Sequence, residues 1–403
     1  MTPHWIIAAV IVACWRLGTV ATHVQLLVVG GTGNLAEKYI WPALNELQQR
    51  HTMAVWAAGT DTPADAAPRL ASIVPDSLSI SYAQLARAED YEALSRRPEW
   101  TIDSTAGLIV YLAIPPKFFA QTCDWVHTHL RSAMRPWLRV VVEKPFGHDL
   151  PSARTLARAL EAQFDGSELF LIDHYLGKPS VRGLQAFLGA NAHWWAATDI
   201  AIHMRETESC AGRTGYFEGV GIVRDVMANH LTVVLGQYRS YSEHANVSLT
   251  TTTTAAAAVF RRAEGSVVVS AGKAFASRST TIAVLLGSCR VDITIQAGPA
   301  EQISVHVCAD HAANVVLPPG WAWTSATHLA PIRGPVDGAY KFLLDQVLRG
   351  DRRYFMGVDE ILQAWTMWTP VLRHADATAH HALVQYGDGT ADDAFLRRPV
   401  QIP

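Results

Sequence analysis

The 403-residue sequence predicts two domains: a doubly wound α/β domain on a parallel sheet over residues 23–171, then an α+β domain over residues 172–403 on a large, mainly antiparallel sheet. Three observations lead there. Short β-rich runs alternate with helical stretches in the first part; beyond residue 172 strands follow one another without helices between them; and two helical stretches close the chain. The length gives each part room for its own core.

Residues 1–22 hold an apolar run from Trp5 to Trp15, too short to span a bilayer, followed by the small residues Gly18 to Thr22. That is the pattern of a secretory signal peptide, and it predicts a lumenal address with no membrane span after cleavage. If the segment is not a signal, the address is cytoplasmic. The sequon "NVS" at Asn246 agrees with a lumenal chain. From His23, the strands "VQLLVVG", "MAVWAAG", "GLIVYLAIPP" and "LRVVVEKPFG" alternate with the helical "NLAEKYIWPALNELQQR" and "FFAQTCDWVHTHLRSAM". Such alternation means parallel pairing through crossover helices. After the helical "PSARTLARALEAQF", the segments "TDIAIHMRET", "VSLTTTTTAAAAVF", "GSVVVSAGK", "TTIAVLLG" and "VDITIQAG" read as strands of an antiparallel or mixed sheet. "AYKFLLDQVLRGD" and "DEILQAWTMWTPVLRHA" read as the closing helices.

Charged residues are 17% of the chain and the formal net charge is -3, so no long-range field draws it to nucleic acid or an anionic membrane. An anionic substrate has to be held by a few placed cations. Of the five cysteines, Cys14 lies in the leader, and Cys123, Cys210, Cys289 and Cys308 are too widely spaced for a zinc knuckle. No metal is expected; the four either pair in an oxidising lumen or remain buried thiols.

In "VVGGTGNLAEKY" the strand ends at Gly30, Gly31 lets the backbone turn, and Gly33 allows helix, strand and pyrophosphate to approach. Asn34 can cap the helix, whose free amides face an anion. Straight after the first strand of an α/β half, this turn points to a Rossmann-like dinucleotide site. At the end of the second strand, "VWAAGTDTPAD" offers Thr60 and Asp61 but no Arg. Asp61 can hold a ribose hydroxyl, and NADP and NAD both remain open.

Four further islands carry polar residues a core does not need: "EKPFGHDL" at 143–150, "IDHYLGK" at 172–178, "GIVRDVMANHL" at 221–231 and "AGKAFASR" at 271–278. With the glycine turn they resemble, in order and over nearly the whole mature chain, the glucose-6-phosphate dehydrogenase family. "HVQLLVVGGTGNLAEKYIWPAL", "VLGQYRSYSE" and "ILQAWTMWTPVL" resemble more narrowly its endoplasmic-reticulum branch. The resemblance implies oxidation of glucose 6-phosphate to 6-phosphogluconolactone, with hydride passed to NADP or NAD, in a homodimer, at a site in the cleft between domains.

Oxidising a sugar hemiacetal needs a base for the anomeric hydroxyl proton. His230 is the candidate, because imidazole titrates near working pH, and the resemblance gives it Asp173 as carboxylate partner. His174, Tyr175 and Lys178 can supply donors to the sugar phosphate, with His174 and Lys178 on one face if the segment is helical. By resemblance Glu206 and Asp225 accept from sugar hydroxyls, Lys144 and Lys273 reach substrate, and Gln296 faces the sugar. For the cofactor, the resemblance implies Gly30, Thr32, Gly33 and Leu35 around the pyrophosphate, and Tyr111, Pro115 and Lys144 beside the nicotinamide.

Taken singly these residues are ordinary: a histidine in "VMANHL" is most often structural, and Lys178, Lys273 and Arg278 are most often solvated cations. Asp225 and His230, five apart, lie about 140° around a helix and form no single stripe. Their joint occurrence, in order, is what speaks for chemistry. The chain also departs from the family. "RDVMANHLT" runs directly into "VVLGQY" without a helix-and-loop block, Asn34 replaces an Asp, and Arg205 replaces a Lys. It ends at "RRPVQIP", so lactone hydrolysis is expected of another protein. Two rivals remain: another two-domain sugar oxidoreductase, which would act on an unphosphorylated sugar, and a regulatory paralogue that binds sugar phosphate or nucleotide without turnover.

Overall fold

The computed structural model describes residues 23–103, 105–192, 199–211, 236–238, 240–246, 254–262, 265–297, 300–332, 337–382 and 384–386. They form two compact units: residues up to 144 with 156–173 and 340–356, and residues 145–155 with 174–339 and 357 onward.

The first unit is built on six parallel strands, β1 (Val24–Val29), β2 (Met53–Gly59), β3 (Ile80–Gln84), β4 (Gly107–Leu112), β5 (Leu138–Glu143) and β6 (Leu169–Ile172), in the order β3-β2-β1-β4-β5-β6. β1 and β4 are buried at every residue, as continuous apolar runs covered on both faces must be. The strand order reverses between β1 and β4, and a doubly wound sheet opens a crevice for ligand at the carboxyl ends around such a switch point.

The sequence-based boundary at residue 171 does not describe this unit fully. The helix Ala339–Arg349, assigned by sequence to the second domain, buries Leu343, Leu344, Val347 and Leu348 in the core formed by β1, β2 and β4 to β6. Its apolar stripe needs a partner, and the sheet supplies one. Arg139 of β5 seals the junction: Nη1 donates to the carbonyls of Val347 and Leu348 at 2.7 and 2.9 Å, and the guanidinium lies 3.7 Å from the centroid of the Trp137 ring.

The second unit carries β7 (Ile200–Arg205), β8 (Gly236–Tyr238), β9 (Ala255–Arg262), β10 (Gly265–Gly272), β11 (Ser279–Leu286), β12 (Cys289–Ala297), β13 (Ala300–His306), β14 (Trp321–Trp323), β15 (His328–Pro331) and β16 (Val384–Tyr386). Among the described residues they make one ten-stranded sheet, antiparallel except for the β7–β10 and β8–β16 pairs. The helix Pro179–Ala190 packs on it through Phe187, beside Ile293, Val305 and Trp321. Cys289 and Cys308 are joined as a disulfide, whereas Cys123 and Cys210 are buried thiols. Among the described residues no helix is long and apolar enough to cross a membrane.

Candidate functional site

The glycine turn follows β1 and precedes a helix wound first as Ala36–Ile40 and then as Trp41–Leu47. Its amides are already committed. Gly30 and Gly31 donate to the Ala58 carbonyl at 2.8 and 2.9 Å, and Gly33 donates to the Gly30 carbonyl at 3.0 Å. Gly30 has φ +88°, and a Cβ there would stand 2.3 Å from the Ala113 carbonyl oxygen. Glycine is therefore required at 30 by the passage of the chain beside β4, whereas a Cβ on Gly33 meets only the Gly30 carbonyl at 3.1 Å. The turn offers a phosphate its open side and the helix start at Asn34 and Leu35. Asn34 lies within the helical run, and its side chain is not the cap; Glu37 closes the turn by donating to the Gly33 carbonyl at 3.0 Å.

An arginine does reach this turn, from a place the sequence does not advertise. Arg69, on the helix Pro63–Ile73 after β2, donates through Nε to the Thr32 carbonyl at 3.3 Å and pairs through Nη2 with Glu37 at 2.5 Å. Asp61, the expected ribose partner, is exposed at the end of β2, and its backbone carbonyl accepts from the Tyr82 hydroxyl at 2.9 Å. Across the switch point, the Ala113 amide donates to the Val29 carbonyl at 2.8 Å, so exposed Pro115 emerges beside the turn. A helix start after the glycine turn, a small-residue approach and a cation from the helix after β2 together suit a dinucleotide.

Tyr111 was expected beside the nicotinamide. It is fully buried on β4, and its hydroxyl donates to the Glu143 carboxylate. Its ring thus fills the core, and it has only backbone to offer a ligand. Glu143 in turn accepts from the Tyr340 hydroxyl, beside Asp173. Burial pushes the Glu143 carboxyl up to about 7, with Asp173 raising it further and the two phenols opposing the shift.

Lys144 and Asp173 stand one residue beyond β5 and β6, whose last residues Glu143 and Ile172 are partners in register. Parallel neighbours end on the same side, which brings Lys144 Nζ to 2.7 Å from Asp173 Oδ2, with both side chains largely buried. The division into units falls immediately after each of these residues, inside both motifs.

In the second unit, His174–Gly177 is a single helical turn. The expected face shared by His174 and Lys178 is not formed. Lys178 is extended, with φ -65° and ψ 135°, because Pro179 disfavours helical backbone in the residue before it. Its ammonium instead lies 4.1 Å from the centroid of the Tyr175 ring, which packs against His174 at 4.7 Å. All three side chains are half-buried.

Glu206 and Lys273 follow the parallel strands β7 and β10, which end opposite each other at Arg205 and Gly272. They form an ion pair of 2.5 Å with side chains 15% and 12% exposed, so acceptor and cation are presented together. The Lys273 amide and carbonyl are fixed by the Thr254 carbonyl at 3.0 Å and the Tyr386 hydroxyl at 2.8 Å. Gln296 lies at the same end of the sheet, opposite Thr280, which itself faces Met204 of β7. Phe146 of "EKPFG" is held within the second unit by Trp365, whose indole donates to the Phe146 carbonyl at 3.0 Å. His230 and Asp225 lie outside the described residues. Sequence reasoning overlooked Glu143, Tyr340 and Arg69; only Glu143, inside a quoted motif, left a local signal.

Known proteins resemble this arrangement at several levels. The rabbit (Oryctolagus cuniculus) GDH/6PGL endoplasmic bifunctional protein is 34% identical over 261 residues, covering 56% of this chain and 33% of its own. The human protein of the same name is 27% identical over 502 aligned positions, covering 96% of this chain and 63% of its own. The chain thus spans from a third to just under two thirds of these relatives. A solved glucose-6-phosphate dehydrogenase in complex with its substrate glucose 6-phosphate superposes with a TM-score of 0.77 at 24% identity, over 94% of this chain and 98% of that one; at this identity the likeness establishes the fold. The family model of the glucose-6-phosphate dehydrogenase NAD binding domain matches residues 64–183. That of the C-terminal domain matches 192–238 and 232–398, two stretches that overlap at 232–238. With both family models matched in order on a Rossmann-like sheet followed by a large mixed one, the chain belongs to the glucose-6-phosphate dehydrogenase family.

Proposed function

We propose that the chain oxidises glucose 6-phosphate at its anomeric carbon to 6-phosphogluconolactone, using NADP with NAD as the weaker alternative. The observation that carries this reading is the edge of the parallel sheet. The glycine turn and Arg69 stand at its switch point, the Lys144–Asp173 pair lies at the ends of β5 and β6, and His174, Tyr175 and Lys178 follow Asp173 directly in the chain. Family membership supports the same reading.

The dinucleotide, when bound, accepts the hydride. The chain's own residues do the rest. The base removes the anomeric hydroxyl proton, a role that fits His230, and Asp173 fixes the imidazole's tautomer and stabilises its cation. Lys144 holds the Asp173 carboxylate in place. Tyr175 and Lys178, packed on each other, offer a phenol and an ammonium to the substrate phosphate, with His174 beside them. Glu206 and Lys273 serve the sugar hydroxyls as one acceptor–donor unit.

Arg69 bears on cofactor choice. Its exposed pair with Glu37 is worth about 0–1 kcal/mol, little enough to yield to a 2′-phosphate. Arg69→Ala is expected to weaken NADP binding roughly tenfold or more, the loss of a charge-assisted contact, and to change NAD binding less than about threefold. Equilibrium titration of both dinucleotides measures this; equal losses would remove Arg69 from the 2′ position. The activity itself is tested on the purified, folded chain by following reduced cofactor with glucose, glucose 6-phosphate and galactose 6-phosphate under NADP and under NAD. Turnover confined to phosphorylated hexose supports the proposal, and a folded protein inert on all three defeats it.

The same reading extends to a secretory or endoplasmic-reticulum lumen. The Cys289–Cys308 disulfide supports it, since such bonds persist in oxidising compartments, and so do the relatives named endoplasmic.

A further inference from the structure

Cys289 opens β12 and Cys308 follows β13, at the ends of neighbouring antiparallel strands, with Cα atoms 5.8 Å apart. Immediately after Cys308 the chain forms the 3₁₀ helix Ala309–Asn314, and Cys308 is its cap residue. The His311 amide donates to the Cys308 carbonyl at 3.0 Å, which closes the turn that brings the two residues of this Cys-x-x-His spacing together. The donor atoms of Cys289, Cys308 and His311 lie within 4.8 Å of one another, with Cys289 buried and the other two half-buried. The Nδ1 of His311 is itself buried and has no hydrogen-bond partner among the described residues. A buried ring nitrogen beside two sulfurs, left unsatisfied, calls for a proton or a metal ion. Two cysteines distant in sequence gave no such signal before folding.

We propose that Cys289, Cys308 and His311 form a site for a borderline-soft divalent cation, Zn²⁺, in the dithiol state of the chain. The disulfide first takes two electrons and two protons from a dithiol reductant, which becomes a disulfide in its turn. Each of the two thiols then releases its proton as its thiolate binds the metal; His311 Nδ1 gives its lone pair as third ligand, and water completes the tetrahedron. Zn–S bonds of about 2.3 Å and Zn–N bonds of about 2.0 Å place tetrahedral donors roughly 3.5 to 3.8 Å apart. The donor atoms already lie within 4.8 Å of one another, and the Cα atoms of the two cysteines are 5.8 Å apart. The metal would then replace the covalent tie between β12 and the segment after β13, so that this part of the sheet stays stapled in either redox state.

The test uses the full chain, reduced with a phosphine, freed of reductant without air, and titrated with Co²⁺ as probe. The expected result is one equivalent bound, with thiolate-to-cobalt charge-transfer absorption, the visible bands of four-coordinate cobalt, and displacement by Zn²⁺. Cys308→Ser should abolish the charge-transfer band, while a Cys123→Ser, Cys210→Ser variant should keep it. His311→Ala leaves both sulfurs and the disulfide able to form, so it folds as the parent does when oxidised; it should weaken Co²⁺ binding by about 100-fold, the loss of one of three protein ligands. A folded, reduced chain without the charge-transfer band overturns the proposal, and so does unchanged Co²⁺ affinity in His311→Ala.

Discussion

Asp173→Asn is expected to lower turnover of glucose 6-phosphate on the order of 100-fold or more, with much less change in substrate affinity. The side chain keeps its size and loses its charge. In the folded chain Asp173 is 6% exposed and bonded to the Lys144 ammonium at 2.7 Å, so the replacement leaves a largely buried cation facing a neutral amide. The proposed base, His230, loses the anion that fixes its tautomer. If the two act as one unit, His230→Asn falls by a similar factor and the double variant falls little further. Steady-state kinetics on variants with native circular dichroism measure this. Turnover of Asp173→Asn within about threefold of the parent would take Asp173 out of the mechanism.

Glu143→Gln is expected to change how stability depends on pH. The Glu143 carboxyl is raised from its ordinary 4.5 to about 7, chiefly by burial. Below pH 4.5 it is neutral in both the folded and unfolded chain and costs nothing. As pH rises from there, the unfolded chain releases the proton while the fold retains it, and stability falls until the folded group ionises near 7. A shift of that size corresponds to about 3 kcal/mol. Glutamine has no proton to lose and still accepts from the Tyr111 and Tyr340 hydroxyls. The melting midpoint of the variant, measured against the parent, should therefore gain roughly 5 to 10 °C between pH 4.5 and pH 8. A gap between the two proteins that stays constant over that range would mean Glu143 titrates normally.

Periodicity reveals what lies in local runs. The apolar strands β1, β4 and β5 and the turn at Gly30 were legible because a strand buried on both faces has to be continuously apolar, and a positive φ asks for glycine. The strand β3 was not, since an edge strand of alternating exposure, Ile80–Gln84, carries few apolar residues. The pairing of Lys144 with Asp173, and of Glu206 with Lys273, follows from parallel register, which no single strand encodes. The same holds for Arg69: a residue one helix past the expected place reaches the turn only once that helix packs beside β1. Lys178 shows the reverse, a helical spacing that a following proline breaks.

The helix Ala339–Arg349 also sets a timetable. The parallel sheet is complete in sequence at Ile172, yet part of the apolar cover of its core, Leu343, Leu344, Val347, Leu348 and Phe355, together with the Tyr340 hydroxyl that reaches Glu143, belongs to the segment ending at Met356. At ribosomal rates of about 5–20 residues per second, roughly 10 to 40 s pass between the two. Through that interval the nascent nucleotide-binding unit carries an open apolar face, while the whole of the second unit's described sheet except β16 is being made. Chaperone attachment is therefore expected to concentrate on chains that have passed Ile172 and not yet reached Met356, and the unit closes only when its late helix arrives.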